Sequence, residues 1–217
     1  MQLNYLKHLK QTAVMNQNKL KVTEIFYSLQ GEGARIGTPT IFIRLQGCKA
    51  KFACFNSGIK CDTEFESGKE MQIDEIVMWC KTHAEHCNEI TWTGGEPTDQ
   101  LTEEIINEFN SHGYYQAIET SGLNPVPKGI DFVCVSPKVA EHVIAKNFPN
   151  GVDELRYVRH IGQDIPNPSI KAHHYWVSPH SDGFDINANN MKHCIQLCLN
   201  NPPFKLSHQN HKIWNIL

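Results

Sequence analysis

The sequence predicts an α/β protein built on a parallel sheet. Short apolar runs alternate with helical segments or long loops, which is the pattern of parallel strands joined by crossovers. Glycine-rich or polar clusters follow the ends of these runs, where ligands bind in sheets of this kind. No internal repeat or low-complexity linker divides the chain. We therefore expect a single domain over residues 20–217, preceded by a polar extension over residues 1–19.

Eight strands and three helices are predicted from the spacing of apolar residues. The strands are Lys21–Leu29, Thr40–Leu45, Glu89–Thr93, Tyr115–Glu119, Asp131–Val135, Asp153–Val158, Lys171–Val177 and Phe204–His208. The helices are Ile73–His83, a helix capped by Thr98 or Asp99 that ends at Gly113, and Asn187–Asn200. In the last helix, apolar spacing predicts that Met191, Cys194, Ile195 and Cys198 face inward.

Composition limits the class of function. The net charge is 20 − 23 = −3 with histidine neutral, which argues against a broad nucleic-acid surface. No apolar run approaches the roughly 18 residues of a membrane span. The first residues lack the apolar segment of a secretory signal, so we expect a cytoplasmic protein. In a reducing compartment, the 8 cysteines indicate metal binding or catalysis rather than disulfides.

Three of the cysteines form a cluster directly after the second predicted strand. Cys48, Cys54 and Cys61 lie within one short stretch, and thiolates prefer zinc, copper(I) or iron–sulfur clusters. A closed zinc site requires four ligands, whereas a four-iron cluster held by three cysteines leaves one iron open to bind a reactant. The apolar settings of the other cysteines predict small buried side chains at Cys80, Cys134, Cys194 and Cys198, and leave Cys87 undecided.

The cysteine loop, together with the Thr93–Pro97 stretch (T-G-G-E-P), resembles the radical S-adenosylmethionine superfamily. The resemblance implies that three cysteines hold a 4Fe-4S cluster, whose open iron is chelated by S-adenosyl-L-methionine. It also implies that the reduced cluster yields a 5′-deoxyadenosyl radical. The cofactor then performs the difficult chemistry, and the protein supplies geometry and a dry pocket.

Further motifs are similar, in the same order, to those of the 7-carboxy-7-deazaguanine synthase family. They are Glu24–Gly33, Gly37–Pro39, Phe42–Arg44, Cys61–Thr63, Thr93–Pro97, Glu119–Gly122, Ser136–Lys138 and Leu206–Lys212. Each motif is weak alone, but their joint order over residues 22–217 identifies the family. The resemblance implies an incomplete (partial) TIM-like barrel of parallel strands with helices outside, and a homodimer.

The resemblance also implies a reaction. This is the Mg2+-dependent ring contraction of 6-carboxy-5,6,7,8-tetrahydropterin to 7-carboxy-7-deazaguanine and ammonia, on the way to queuosine in tRNA. The radical takes a hydrogen from C6 and returns it after rearrangement, so S-adenosyl-L-methionine is used catalytically. An electron donor of the flavodoxin or ferredoxin type is the expected partner, and no nucleic acid or membrane is expected.

Site residues follow from the same resemblance, position by position. It implies that Cys48, Cys54 and Cys61 bind the cluster and that Thr63 binds Mg2+. The implied substrate contacts are Leu29, Gln30, Gly31, Arg44, Thr93 and Leu217. The implied S-adenosyl-L-methionine contacts are Gly95, Ser136, Pro137, Lys138, Val177, Ser178, Pro179 and His180. No side chain is expected to be catalytic, because the cofactor radical performs the chemistry.

Some of these residues have a simpler interpretation. An arginine in a strand, such as Arg44, is usually a solvated side chain, although its planar fork also suits a buried anion. Thr63 without the resemblance would be a turn residue that bonds its own backbone. The cysteine spacing departs from the common pattern of three and then two residues. Here five residues separate Cys48 from Cys54, and six separate Cys54 from Cys61.

Two other functions compete with this one. A structural zinc module would combine the loop cysteines with His83, His86 or His112, although no short Cys-x-x-Cys pair accompanies them. A different radical enzyme, such as an activase that makes a glycyl radical on a partner protein, would share the cluster. It would not require the Leu29–Gly31 and Cys61–Thr63 motifs.

Overall fold

A computed structural model describes residues 19–56, 61, 63–181 and 187–217 of the chain. Within these residues, nine strands form one sheet. They are β1 (Lys19–Leu29), β2 (Pro39–Leu45), β3 (Lys69–Gln72), β4 (Glu89–Gly94), β5 (Tyr115–Thr120), β6 (Phe132–Val135), β7 (Val152–Arg159), β8 (Ala172–Pro179) and β9 (Lys205–Leu206). All eight predicted strands are confirmed within a few residues. Of the predicted extension, Lys19 belongs to β1 and the remainder lies outside the described residues.

The sheet is mostly parallel and does not close. Its strand order is β3-β1-β2-β4-β5-β6-β7-β8-β9. From β2 to β9 every neighbouring pair is parallel, while β1 pairs antiparallel with both β2 and β3. The predicted incomplete barrel of parallel strands is therefore confirmed, with an antiparallel edge that the sequence did not indicate. The carboxyl ends of β2 and β4–β8 share one edge of the sheet, as expected for parallel strands.

Six α-helices occur in the part of the chain that is described. They are α1 (Lys51–Asn56), α2 (Ile73–His83), α3 (Glu103–Ser111), α4 (Glu141–Asn147), α5 (Ala188–Asn200) and α6 (Asn210–Trp214). Helix α2 has the predicted bounds and begins at a capping box formed by Gln72 and Glu75, which satisfies two free backbone N–H groups. No helix in the described ranges is long and apolar enough to cross a membrane.

Two predicted helix details are wrong. Thr98 and Asp99 do not cap α3, because Pro97 starts a separate 3-10 turn over Pro97–Asp99. The cap of α3 is Thr102, whose side chain accepts the N–H of Ile105. In α5, Ile195 is exposed and Leu197 is buried beside Cys194, since the helix packs on β8 and β9 through a narrow stripe.

The two faces of the sheet differ in chemistry, because side chains alternate along each strand. The apolar face, which meets α2 and α3, carries buried Ile41, Ile43, Leu45, Ile90, Trp92 and Ile118. Its largest side chain, Trp92, packs edge-on against Phe109 of α3 with ring centroids 4.9 Å apart. The alternate residues form the polar face, which lines the inside of the barrel: Thr91, Thr93, Glu119, Cys134, Glu154 and Arg156.

Candidate active site

Two adjoining cavities open at the carboxyl ends of the parallel strands. The first, here the thiol cavity, has a volume of about 230 Å³ and is lined by the three clustered cysteines and the loops after β4, β5, β6 and β8. The second, here the terminal cavity, has a volume of about 390 Å³ and is lined by β1, β2 and the C-terminal residues. Five residues line both: Glu32, Thr63, Thr93, Glu119 and Gln209. A ligand in one cavity would therefore lie directly beside a ligand in the other.

The thiol cavity brings together the three cysteines that the sequence grouped. Cys48 and Cys54 are half-buried, Cys61 is exposed, and all three line the cavity. Burial is the main cause that raises the pKa of Cys48 to about 11, and the charges of Glu96 and Asp99 raise it as well. Burial likewise raises the pKa of Cys54. Both thiols are thus protonated at neutral pH, and a metal that binds them displaces protons.

The thiols are near one another without forming a finished ligand set. Among the described residues, no group of three or more His, Cys, Asp or Glu side chains is arranged to hold a metal ion. The donor chemistry nevertheless suits a soft metal, because the cavity wall supplies three thiols. The histidines of the zinc hypothesis lie elsewhere. His83 stacks on Trp79 in α2, and His112 contacts Glu108 at the end of α3. Neither lines the thiol cavity.

The loop after β4 packs directly on the start of the cysteine loop. A Cβ atom on Gly95 would overlap the carbonyl oxygen of Gly47 and crowd the Cβ of Cys48, so only glycine allows this contact. The backbone N–H of Glu96 donates to Gly47 O at 2.9 Å. Glu96 itself is fully buried, and its carboxylate accepts the Ser121 N–H at 2.9 Å and the Thr120 hydroxyl at 2.7 Å. This carboxylate therefore joins the loops after β4 and β5.

Most of the predicted S-adenosyl-L-methionine contacts line the thiol cavity. Those that do so are Gly95, Ser136, Lys138, Ser178, Pro179 and His180. Pro137 lies between two of them in sequence but is not part of the described lining. Val177 points the other way, since its side chain is fully buried in the core with Cys194 and Leu197. The alternation along β8 explains why Val177 and Ser178 have opposite environments.

All the predicted substrate residues line the terminal cavity, namely Leu29, Gln30, Gly31, Arg44, Thr93 and Leu217. Leu217 is fastened at this wall, because the Ser28 hydroxyl donates to its main-chain oxygen at 2.8 Å. Gln30 is buried, and its amide donates to a carboxylate oxygen of Glu119 at 3.1 Å. Arg44 already has a partner here, since its Nε lies 2.6 Å from Glu24 Oε1 and its guanidinium lies over Phe26.

Two buried charged residues at the site, Glu154 and Arg156, were missed by sequence reasoning. Arg156 lies on the polar face at the base of the thiol cavity, with 7% of its surface exposed. Its guanidinium lies 2.9 Å from Glu32 Oε2, 3.3 Å from Glu119 Oε1 and 2.7 Å from Glu154 Oε1. The Cys134 thiol, predicted as a small buried hydrophobe, joins this group and donates to Glu154 at 3.2 Å. The signal that could have found them is the opposite charge of Glu154 and Arg156 at alternate positions of one strand.

These charges stabilise one another against burial. Burial acts to raise the pKa of Glu119, but Arg156, Gln30 and Thr93 outweigh it, so the pKa lies below its usual value of 4.5. Burial acts to lower the pKa of Arg156, and the surrounding acidic groups raise it well above its usual range. Glu119 is therefore an ionised carboxylate at neutral pH, placed where the two cavities meet.

The C-terminal segment supplies further residues that the sequence left without a role. Gln209, His211 and Lys212 line the terminal cavity from α6 and the residue before it. Asn210 holds this segment in place, because its backbone and side-chain N–H groups both donate to Gly31 O at 3.1 Å. The last turn of the chain thus forms one wall of the cavity. Its short motif carried no separate indication of that position.

The undecided cysteine has a structural position. The Cys87 thiol is half-buried, packs against the core of the apolar face and lies 3.5 Å from the carbonyl oxygen of Glu89. Since Glu89 begins β4, Cys87 lies at the edge of the sheet opposite the thiol cavity.

No family model matches the chain. Several curated proteins are similar to it, and they share one name. Curated relatives named 7-carboxy-7-deazaguanine synthase are 36% identical in Bacteroides thetaiotaomicron (90% of this chain, 98% of the relative) and 35% identical in Burkholderia multivorans (90% and 98%). In Neisseria meningitidis such a relative is 37% identical (73% and 74%).

A solved structure of QueE from Escherichia coli has the same fold. Its TM-score is 0.62 at 20% identity, over 88% of this chain and 94% of that one. The agreement with the solved structure concerns the fold, and the family follows from the sequence relatives. Since relatives of that name match nine-tenths of the chain at more than a third identity, the chain belongs to the 7-carboxy-7-deazaguanine synthase family.

Proposed function

We propose that this enzyme converts 6-carboxy-5,6,7,8-tetrahydropterin to 7-carboxy-7-deazaguanine with loss of ammonia. The observation that carries the proposal is the pair of adjoining cavities. One is lined by three thiols, the other has about 390 Å³ for a bicyclic ligand, and five residues are common to both. A reaction between a cofactor and a substrate requires such contact, because reacting atoms must approach within about 3–3.5 Å.

We propose that Cys48, Cys54 and Cys61 hold a 4Fe-4S cluster and that the thiol cavity also binds S-adenosyl-L-methionine. When bound, these groups supply a 5′-deoxyadenosyl radical. The protein's part is to position them and exclude water. Ser136, Lys138 and the Ser178–His180 segment line the remaining wall of the cavity and offer polar contacts to the cofactor.

The substrate would be oriented by the terminal cavity. Ionised Glu119 accepts hydrogen bonds, and a pterin ring presents N–H donors along its pyrimidine edge. Leu29, Gln30, Gly31 and Leu217 line the same cavity. We propose that Arg44 contacts the substrate carboxylate. That carboxylate would either replace Glu24 as the partner of the guanidinium or bind the guanidinium together with Glu24.

We propose that Thr63 contributes its hydroxyl to Mg2+, since it lines both cavities and Mg2+ requires oxygen ligands. Exchanging Thr63→Ala should change the Mg2+ dependence of turnover while the iron content stays that of the wild type. Titration of activity with MgCl2, beside iron analysis of both proteins, measures this. An unchanged Mg2+ response would remove Thr63 from the metal site.

We also propose a cellular location, an electron donor, a domain organisation and an oligomeric state for the enzyme. A thiol-rich iron site needs a reducing environment, which supports a cytoplasmic location and a flavodoxin- or ferredoxin-type reductant. One sheet passes through the described strands, which supports a single domain over residues 20–217. Tyr27 in β1 and Ile36, shortly after β1, are exposed apolar side chains, and we propose that a second copy of the chain covers them in a homodimer.

The decisive experiment is anaerobic turnover of reconstituted protein with 6-carboxy-5,6,7,8-tetrahydropterin, S-adenosyl-L-methionine, Mg2+ and a reductant. Mass spectrometry should detect 7-carboxy-7-deazaguanine, and a Cys48→Ala variant should yield none and lose the visible absorption of the cluster. Cleavage of S-adenosyl-L-methionine without that product would retain the radical class and reject the substrate. Failure of the wild type to hold iron would reject both.

A further inference from the structure

Asp99 connects the loop after β4 to the start of the cysteine loop. Its Oδ2 accepts the backbone N–H of Lys49, the residue directly after Cys48, at 2.9 Å. The Lys49 ammonium lies 3.4 Å from the other oxygen, but 75% of the lysine side chain is exposed, so that ion pair contributes little. The Asp99 side chain is only 10% exposed. The bond from a backbone N–H to a largely buried carboxylate is therefore the stronger contact.

The orientation of the Asp99 carboxylate is fixed from its other side. The side-chain amide of Asn124, in the segment after β5, donates to Asp99 Oδ1 at 3.1 Å and to the Thr98 hydroxyl oxygen at 3.2 Å. That hydroxyl in turn donates to buried Glu96 at 2.6 Å. Asp99 is thus the outer member of a hydrogen-bonded chain that begins in the interior of the sheet.

Cys48 is consequently held at both of its backbone neighbours. On its N-terminal side, Gly47 O accepts the Glu96 N–H at 2.9 Å, and Gly47 N–H donates to Phe65 O at 2.8 Å. On its C-terminal side, the Lys49 N–H is held by Asp99. These three hydrogen bonds fix the backbone from which the Cys48 thiol projects into the cavity. A loop with long spacing between its cysteines gains most from such a fixed start, because the remaining ligands must close a longer segment.

We propose that Asp99 is a positioning residue that fixes Cys48 for binding of the iron–sulfur cluster. The identity of the metal group rests on the proposed function, whereas the anchoring contact itself does not. Two measurements test the anchoring contact and its role in cluster binding separately. The first is made on the metal-free protein and the second on the reconstituted protein.

The first measurement is amide hydrogen exchange of Lys49 in the metal-free protein. Asp99→Ala should accelerate exchange roughly tenfold, because a hydrogen bond to a charged acceptor is lost. Asp99→Asn should accelerate it less, since the amide oxygen can still accept. The matched control is Asp153→Ala. Asp153 likewise accepts a backbone N–H, that of Val133 at 2.8 Å, and has an exposed basic residue, His173, 3.4 Å away, but it lies at the opposite edge of the sheet from the thiol cavity. It should leave exchange at Lys49 unchanged.

The second measurement is the rate at which a chelator removes iron from the reconstituted protein. Asp99→Ala should release iron several-fold faster than the wild type, Asp99→Asn should be intermediate, and Asp153→Ala should match the wild type. Equal exchange at Lys49 in the wild type and Asp99→Ala would overturn the anchor. Faster exchange with unchanged iron release would overturn its role in cluster binding. If the wild type holds no iron, the proposed function fails, and the role in cluster binding falls with it, while the exchange data still decide the anchor.

Discussion

The two faces of the sheet are packed differently, one by apolar side chains and the other by charged and polar side chains. On the apolar face, Ile43, Trp92 and Ile118 interlock with helical side chains and have no surface exposed. On the polar face, Glu119 and Arg156 are held by charges and hydrogen bonds. Glu119 directly follows Ile118 in β5, so the two environments lie one residue apart. Both environments exclude water, and on the polar face two cavities lie beside ionised groups. The apolar face therefore stabilises the fold, whereas the buried charges of the polar face lower stability and form the candidate site.

The polar face is costly because buried charges require complete pairing. Arg156 faces three carboxylates and a thiol, so its loss would leave Glu32, Glu119 and Glu154 without this shared counter-charge. The apolar face has no such dependence on one residue, since its contacts are many and individually weak. Substitutions on the two faces should therefore differ in kind, and the following predictions test that difference by its effect on unfolding.

The largest effect is expected at Arg156, the buried cation shared by three carboxylates. Arg156→Met should lower the free energy of unfolding by about 3–5 kcal/mol, because Glu32, Glu119 and Glu154 lose their common partner. Turnover should be lost as well, even at a temperature where the variant is folded. Urea unfolding followed by circular dichroism, with turnover on the same samples, measures both.

A second arginine on β7 provides the control. Arg159→Met removes a guanidinium that donates to the carbonyl oxygens of Asp164 and Val158, both at 2.8 Å, outside the cluster of acids. It should cost clearly less stability than Arg156→Met and leave turnover near the wild-type value. Equal losses in the two variants would contradict the special role of the buried cluster.

A smaller effect is expected for one acid of that cluster, with a defined pH dependence. Glu119→Gln should cost roughly 1.5–3 kcal/mol at pH 7, because hydrogen bonds to a charged acceptor are replaced by neutral ones. The folded pKa of Glu119 lies below 4.5, so ionisation contributes stability above that pH, and this contribution is lost as pH falls through the folded pKa. The difference between wild type and variant should shrink below pH 4.5 in urea titrations. A constant difference from pH 7 to pH 3 would contradict the assignment.

On the apolar face, removal of one methylene group should lower stability without changing activity. Ile118→Val should lower the free energy of unfolding by about 0.5–1.5 kcal/mol through a small cavity beside the helices. Turnover per folded molecule should not change, because Ile118 points away from both cavities. A variant that kept its stability and lost activity would show that the two faces are not separable in this way.

The smallest effect on stability is expected at Arg44, whose pairing with Glu24 is partly exposed. Arg44→Ala should change the free energy of unfolding by less than about 1 kcal/mol. It should nevertheless weaken binding of the pterin more than binding of S-adenosyl-L-methionine, which equilibrium binding to the metal-free and reconstituted protein can measure. Glu24→Gln, which removes only the partner, is the control for loss of the ion pair. The reverse order of binding defects would overturn the substrate role of Arg44.

The residue pattern was sufficient for eight of the nine described strands and for three of the six described α-helices. Periodicity placed α2 at its observed bounds and the strands within a few residues, because alternation and helical spacing follow from backbone geometry. It failed for Ile195, since burial on a helix depends on how wide a stripe the neighbouring strands cover. It also gave no indication of β3, whose residues Lys69–Gln72 are mostly exposed and pair as an edge strand with β1.

The sequence by itself determined the fold class, the grouping of Cys48, Cys54 and Cys61, and the set of strand-end segments that meet at one edge. These are properties of local spacing and of the parallel rule. Only the tertiary structure decided which charges meet. Arg156 lies 124 positions from Glu32 and 37 from Glu119, and Asp99 lies 50 from Lys49. No local pattern can specify such pairs, because the register between distant strands and loops is set by packing of the whole sheet.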